Sequence, residues 1–125
     1  LKQANVEALL VIPQRSMATI LERELAACGY RSSVTQTSFE AIELAVRTRP
    51  DFIIVAKTID ELTGVDLANA LQAMPKTRAI PTAVLTSDAP NHPSLQDLPC
   101  RTAIIRKGNA FGEDLAKALA RFNIT

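Results

Sequence analysis

Several residue types that often carry chemistry or a large core are scarce in this chain. Its 125 residues include no Trp, one Tyr, four Phe, two Cys and one His. With so few aromatic rings, a hydrophobic core must be built from Leu, Ile, Val and Ala. Cys28 and Cys100 have no C-x-x-C spacing and no neighbouring His, so a metal site is not indicated and both are expected to be buried or half-buried free thiols. The single histidine, His92, lies between Asn91 and Pro93 and is interpreted as a surface loop residue without a catalytic triad.

The chain also lacks a strong charge and a long hydrophobic run. Lys plus Arg number 14 and Asp plus Glu number 13, a balance that argues against nucleic-acid binding or an anionic membrane surface. No apolar run approaches the length of a membrane span, and no signal peptide is recognised. The length suits one domain over residues 1–125. We therefore expect a cytoplasmic domain and, because it begins with Leu1, one excised from a longer protein.

The most informative stretch is the apolar run from Phe52 to Val55, which follows Pro50 and Asp51. A short β-branched run of this kind predicts a strand buried on both faces in the middle of a parallel sheet. In open α/β sheets, chemistry is placed just beyond the carboxyl ends of the central strands. Here that position holds Ala56, whose side chain cannot bind a proton, a phosphoryl group or a metal.

Strand-like and helix-like patterns alternate along the whole chain. Helix ends are indicated by Gly29, by a capping box of Thr37 and Glu40, and by Pro75. Prolines at 90, 93 and 99 leave room for only a short helix between the last two strands. The predicted strands are residues 6–12, 30–36, 52–55, 80–86 and 101–106, and the predicted helices are 14–27, 38–48, 64–74 and 110–122. This order predicts a doubly wound α/β domain with five parallel strands.

The order and spacing of several short motifs are similar to those of a known family. They are residues 50–55 of the third strand, Gly64 opening the third helix, Ile80 and Pro81 in the fourth strand, residues 85–87 at its end, and Arg106 with Lys107 at the end of the fifth. With these features the chain resembles the receiver domain of bacterial two-component response regulators, which transmit signals by phosphorelay. The resemblance implies a flavodoxin-like sheet of order 2-1-3-4-5, with Thr86 and Lys107 as retained switch-like residues.

The chain departs from the family at the residues that carry its chemistry. Ala56 stands where the resemblance places the phosphoacceptor aspartate, and Ile12 and Pro13 stand where it places the acidic pair. Magnesium requires oxygen ligands, commonly carboxylates, and phosphoryl transfer requires a nucleophile. Phosphorylation of an aspartate at position 56 is therefore excluded, and we expect no metal or other cofactor. Gly108 and Ile104 also replace the family's usual proline and switch aromatic. The sequence is interpreted as a degenerate receiver, or pseudo-receiver.

The polar residues expected near the vacated site leave alternatives open. Lys107 is interpreted as a solvated side chain, as a partner of Asp60, Glu61 or Asp88, or as the partner of an anion in the pocket. Asp60 and Glu61 follow Ala56 by four and five residues, in a loop without other metal ligands, which argues against a displaced phosphoacceptor. Thr86 is interpreted as an ordinary strand-end hydroxyl group rather than a working switch, because no phosphoryl oxygen is there to attract it.

Two classes of function fit these observations. The first is a non-catalytic signalling module that acts by protein–protein interaction or by gating an attached output domain, with the last helix as a candidate for homodimerisation. The second is a flavodoxin-like small-ligand or nucleotide-binding domain. It would require a phosphate-cradling loop after the first strand, and residues 13–19 contain no glycine. The first class is favoured.

Overall fold

The apolar strands predicted from the sequence form the centre of one parallel sheet. The computed structural model describes residues 6–99 and 101–122. Its sheet has the order β2-β1-β3-β4-β5, which confirms the predicted flavodoxin-like topology. The strands are β1 (Glu7–Val11), β2 (Arg31–Thr35), β3 (Phe52–Ala56), β4 (Thr82–Thr86) and β5 (Ala103–Arg106). The helices are α1 (Arg15–Ala27), α2 (Ser38–Thr48), α3 (Gly64–Ala73) and α4 (Phe111–Arg121).

The central strand β3 is buried on both faces, as its composition predicts. Phe52 and Ile54 face one layer of the core, together with residues of α1 and α4. Ile53 and Val55 face the other layer, together with residues of α2 and α3. Because successive residues of a strand point to opposite faces, one five-residue run supplies both cores. The polar strand β2 lies at the sheet edge, as expected.

Local capping signals explain where the helices begin and end. The Thr37 hydroxyl accepts a hydrogen bond from the Glu40 backbone N–H at 3.2 Å, which starts α2 as predicted. A complete capping box between Thr63 and Asp66 starts α3 and was missed in the sequence. Gly29, with φ of +85°, follows α1.

One expectation about burial needs correction. Cys28 is exposed and free, because it is the C-cap residue of α1 and lies beyond the last buried residue of that helix, Leu25; Cys100 lies outside the described residues. The buried stripe of α1 runs through Ala18, Leu21 and Leu25, and Ile20 lies beside it and is 43% exposed. Between β4 and β5, the only helical segment within the described residues is a short 3-10 helix, Pro93–Leu95, which confirms that the prolines leave room for only a short helix.

The apolar side of α4 is used to cover the sheet. Leu115, Ala118 and Leu119 are buried in the core, and Phe111 and Phe122 pack against it. The Phe122 ring lies 6.1 Å from that of Phe52, measured between ring centroids. The side chains that suggested a dimerisation face therefore have a structural role within the domain.

Among the described residues, no helix is long and apolar enough to cross a membrane.

Candidate functional site

The carboxyl ends of β1, β3, β4 and β5 meet around one cleft. Parallel pairing places Val11 beside Val55, Ala56 beside Leu85, and Thr86 beside Arg106. The cleft has a volume of about 470 Å³. It is lined by Ile12, Pro13, Gln14, Met17, Ala56, Lys57, Thr58, Ile59, Leu85, Thr86, Ser87, Asp88 and Lys107. The structure thus brings together Ile12, Pro13, Ala56, Thr86 and Lys107, the positions that the sequence singled out.

The floor of the cleft is apolar where the resemblance would place carboxylates. Ile12 is 1% exposed and Ala56 is 9% exposed, and both belong to the hydrophobic core under α1. Neither side chain has an oxygen that could bind Mg²⁺ or attack a phosphorus atom. Within residues 6–99 and 101–122, no group of three or more His, Cys, Asp or Glu residues is arranged to hold a metal ion.

The polar part of the cleft is an ion pair between Lys57 and Asp88. The Lys57 ammonium donates to Oδ2 of Asp88, and both side chains are about one quarter exposed. The Thr86 hydroxyl lies 3.2 Å from the same oxygen and accepts a hydrogen bond from the Asp88 backbone N–H at 3.0 Å. Hydrogen bonding from Lys57 lowers the pKa of Asp88, so this carboxylate is ionised at neutral pH. Asp88 therefore links the ends of β3 and β4.

His92 and Ser94 extend this network along the surface. The His92 Nδ1 atom accepts a hydrogen bond from the Ser94 backbone N–H at 3.1 Å, which caps the 3-10 helix. The Ser94 hydroxyl lies 2.8 Å from Nδ1, and the other ring nitrogen lies 4.0 Å from Asp88, beyond hydrogen-bond distance. The group is a helix cap in an exposed loop, as the surface interpretation of His92 predicts, rather than a catalytic triad.

Lys107 has the position predicted for it but not the predicted carboxylate partners. Its backbone N–H donates to the Thr86 carbonyl at 2.9 Å, while its side chain is exposed at the cleft. Asp88 pairs with Lys57, and Asp60 accepts hydrogen bonds from the Ser38 backbone and hydroxyl at 2.9 and 2.8 Å. No ion pair joins Lys107 or Glu61 to another residue in the described part of the chain.

Gly64 allows the loop after β3 to return and pack closely against the end of that strand. The Gly64 N–H donates to the Lys57 carbonyl at 2.6 Å, and a Cβ atom at position 64 would lie 2.3 Å from the Ala56 carbonyl oxygen. Only glycine permits this approach without a backbone shift. Asp60 ties the same loop to the start of α2, and the backbone hydrogen bond from Ser38 is the main reason that its pKa is lowered. Asp60 therefore holds a loop in place and does not face the cleft.

Beside the cleft, Arg106 and Asp114 hold the end of β5 against α4. The guanidinium donates through Nε and Nη2 to the two carboxylate oxygens at 2.7 and 3.0 Å, and the Arg106 backbone N–H donates at 2.9 Å. These bonds, led by the side-chain bond from Arg106, lower the pKa of the nearly buried Asp114. They join the end of β5 to the first turn of α4, next to Lys107.

Sequence reasoning missed Lys57 as a part of this site and Asp114 as the partner of Arg106 beside it. Lys57 directly follows the strand that was expected to carry the chemistry, so its proximity to the β4 end could have been predicted. Asp114 lies in the first turn of α4, where a carboxylate is already favoured by the helix dipole. Its bidentate pairing depends on the crossing of α4 over β5, which the sequence does not specify.

The sequence of the chain is similar to that of a curated response regulator. No protein-family model matches the chain. One curated protein, the polar-differentiation response regulator DivK of Brucella anthropi, is 27% identical over 84 residues, which span 66% of this chain and 68% of that protein.

Solved structures are similar over nearly the whole chain. A response-regulator structure from Chloroflexus aurantiacus has a TM-score of 0.84 at 19% identity and covers 95% of this chain and 98% of its own. The receiver domain of a sensor histidine kinase from Pseudomonas aeruginosa, with magnesium in its active-site cleft, has a TM-score of 0.81 at 23% identity, with coverage of 95% and 98%. The signal receiver domain of a histidine kinase from Syntrophus aciditrophicus has a TM-score of 0.81 at 25% identity, with coverage of 94% and 90%. The chain therefore has the fold of response-regulator receiver domains.

Proposed function

We propose that this chain is a receiver-like signalling module that works without aspartyl phosphorylation. It acts on a protein partner or gates an attached output domain, and it is not an enzyme. The observation that carries the proposal is the buried methyl group of Ala56 at the carboxyl end of β3. A phosphoryl group has no nucleophile to receive it there, and Ile12 and Pro13 offer no carboxylate to hold a metal ion beside it.

The ion pair between Lys57 and Asp88 supports a fixed rather than a switched conformation. In this cleft the Thr86 hydroxyl and the Lys57 ammonium both contact one carboxylate of the protein itself. A switch requires two states that a ligand or modification binds with different free energies. Here the groups at the ends of β3 and β4 satisfy one another without a bound phosphoryl group. The module would present a constant surface and depend on its partner for regulation.

Two-component signalling is the setting that the comparisons favour. The Brucella anthropi relative is a response regulator, and the similar structures include receiver domains of histidine kinases. The alternative of a nucleotide-binding domain has less support, because the segment between β1 and α1 contains Pro13 and no glycine.

Homodimerisation through α4 stays a prediction, and sedimentation velocity over a range of concentrations tests it. A monomer at high concentration would rule it out.

A ¹H–¹⁵N NMR titration with Mg²⁺ and then beryllofluoride, an analogue of the aspartyl phosphoryl group, tests the central claim. We expect no saturable shifts at Ala56, Thr86 or Lys107 that depend on Mg²⁺, whereas a phosphorylatable receiver domain measured in parallel should respond. Treatment with acetyl phosphate followed by intact-mass measurement should show no added phosphoryl group. Saturable shifts at the cleft that require both Mg²⁺ and beryllofluoride, or a phosphorylated product, would overturn the proposal, with Asp60 and Glu61 the first residues to examine.

A further inference from the structure

The charge of the cleft favours an anion over a cation. Its lining residues include two lysines, Lys57 and Lys107, and one carboxylate, Asp88. Lys57 and Asp88 form an ion pair and neutralise one another. The Lys107 ammonium is left as the uncompensated charge of the cleft, since no carboxylate in the described chain is paired with it.

We propose that this cleft is a reversible binding site for a small organic anion, a carboxylate or a phosphate monoester with an apolar body. The inference rests on the proposed function, because a bound Mg²⁺ ion and phosphoryl group would occupy the same cleft. Lys107 would bind the anionic head and the apolar floor would bind the body. The ligand would regulate the module without a covalent step.

The lining of the cleft matches both parts of such a ligand. Its volume of about 470 Å³ lies in the range of small-molecule sites, about 300–1,000 Å³. Hydrogen-bonding side chains from Gln14, Thr58 and Ser87 share the lining with Lys107. Apolar side chains also line the cleft and would exclude water from the ligand body; they come from Ile12, Pro13, Met17, Ala56, Ile59 and Leu85. Methionine is flexible and can adapt to ligands of different shape.

The backbone around Lys107 is held in place while its side chain stays free. The Lys107 N–H is bonded to the Thr86 carbonyl at 2.9 Å, and the preceding Arg106 is fixed by its bidentate contact with Asp114. Gly108 follows with φ of +92°, a conformation that turns the chain sharply after β5. A positioned cation with an unpaired ammonium group loses little backbone entropy when it binds an anion.

Titration by ¹H–¹⁵N NMR at low ionic strength, without Mg²⁺, tests the proposal directly. The probes are phenyl phosphate, benzoate and inorganic phosphate, with benzyl alcohol as the uncharged comparison. We expect saturable shifts of the amides of Ile12, Ala56, Ser87 and Lys107 with the two aromatic anions. Inorganic phosphate should bind more weakly, because it lacks the apolar body, and benzyl alcohol should also bind more weakly, because it lacks the charge.

Matched lysine variants separate a specific site from general attraction to positive charge. Lys107→Gln should weaken phenyl phosphate binding by about tenfold, because a charge-assisted hydrogen bond is lost. Lys76→Gln removes the same charge from an exposed residue that does not line the cleft, and should leave binding unchanged. The absence of saturable shifts at millimolar probe, or an equal effect of the two variants, would overturn the inference.

The two proposals fail in different ways. The anion titration contains no Mg²⁺ and no beryllofluoride, so a negative result there leaves the phosphorylation-independent function standing. A positive response to Mg²⁺ with beryllofluoride would instead overturn the proposed function and, with it, the anion site that depends on it.

Discussion

Lys57, the residue directly after Ala56, forms an ion pair with Asp88, which lies two residues beyond the end of β4. Two neighbouring strands of the sheet are thereby joined at the edge where receiver domains carry out phosphoryl transfer. The Thr86 hydroxyl contacts the same carboxylate. Ala56 is thus followed by a lysine whose partner lies just after the fourth strand, and this pairing joins the ends of β3 and β4 at the cleft.

Replacement of Asp88 by Asn should loosen the segment after β4. The variant Asp88→Asn loses the ion pair with Lys57 and weakens the contact to the Thr86 hydroxyl. We expect the amides of residues 87–98 to exchange hydrogen faster, because local opening then costs less free energy. Hydrogen-exchange mass spectrometry measures the effect.

Asp97→Asn provides the matched control for this experiment. Asp97 lies in the same segment and its side chain is exposed. The control makes the same chemical change without touching the Lys57 pair, so its exchange pattern should equal that of the parent chain. Equal exchange in the Asp88 variant and the parent would show that the ion pair does not hold the segment.

Restoring one aspartate at position 56 should not restore a receiver site. Ala56→Asp supplies the nucleophile, but Ile12 and Pro13 still give the metal no carboxylate from β1. Because Mg²⁺ binding by carboxylates precedes charge neutralisation at the phosphoryl group, we expect no beryllofluoride response from the single variant. The triple variant Ile12→Asp, Pro13→Asp, Ala56→Asp should respond. A response from Ala56→Asp alone would show that the missing metal ligands come from elsewhere.

The sequence predicted the fold well because its signals were local and repeated. The apolar run 52–55, the cap at Thr37 and the glycine after α1 each identify an element, and alternation of strands and helices limits the topology. The positions that meet at the cleft followed from the parallel sheet. The burial of Cys28 was predicted wrongly, because this residue is the C-cap of α1 and lies beyond the last buried residue of the helix, Leu25.

Pairing of charged side chains was the part that the sequence could not supply. Asp60, Glu61 and Asp88 were equivalent candidates for Lys107 on sequence distance alone. The structure separates them because the Ser38 hydroxyl donates a hydrogen bond to Asp60, and Lys57 forms an ion pair with Asp88. Such choices depend on loop paths and side-chain rotamers, which leave no periodic pattern in the sequence.

Addition of a methyl group at position 64 should destabilise the domain. In Gly64→Ala the new Cβ would lie 2.3 Å from the Ala56 carbonyl oxygen, so the backbone at the cleft must shift. We expect a loss of about 1–3 kcal/mol in the free energy of unfolding, measured by urea denaturation.

Gly112→Ala is the control for the glycine substitution. Gly112 lies in α4, and no atom lies within 4 Å of its added Cβ position. Alanine is favoured over glycine in a helix, so this variant should be more stable by about 0.5–1 kcal/mol. Destabilisation of both variants by the same amount would remove the steric explanation for Gly64.

The contact between Arg106 and Asp114 should make stability depend on pH in the acid range. The side-chain bond from Arg106 holds the pKa of Asp114 below its unfolded value, which is about 3.9. A lowered folded-state pKa means that the contribution to stability is present above the unfolded pKa and is lost as the pH falls through the folded-state pKa. Asp114→Asn should therefore be less stable than the parent at pH 7, by about 1–2 kcal/mol, and the difference should shrink below about pH 4. Urea denaturation at pH 7, 5 and 3 measures this difference in stability.

Glu113→Gln is the control, because it alters an exposed pair with Lys117. It should have little effect on the free energy of unfolding at any of these pH values. A difference between parent and Asp114→Asn that is the same at pH 3 and pH 7 would show that the charge of Asp114 does not stabilise the β5–α4 junction.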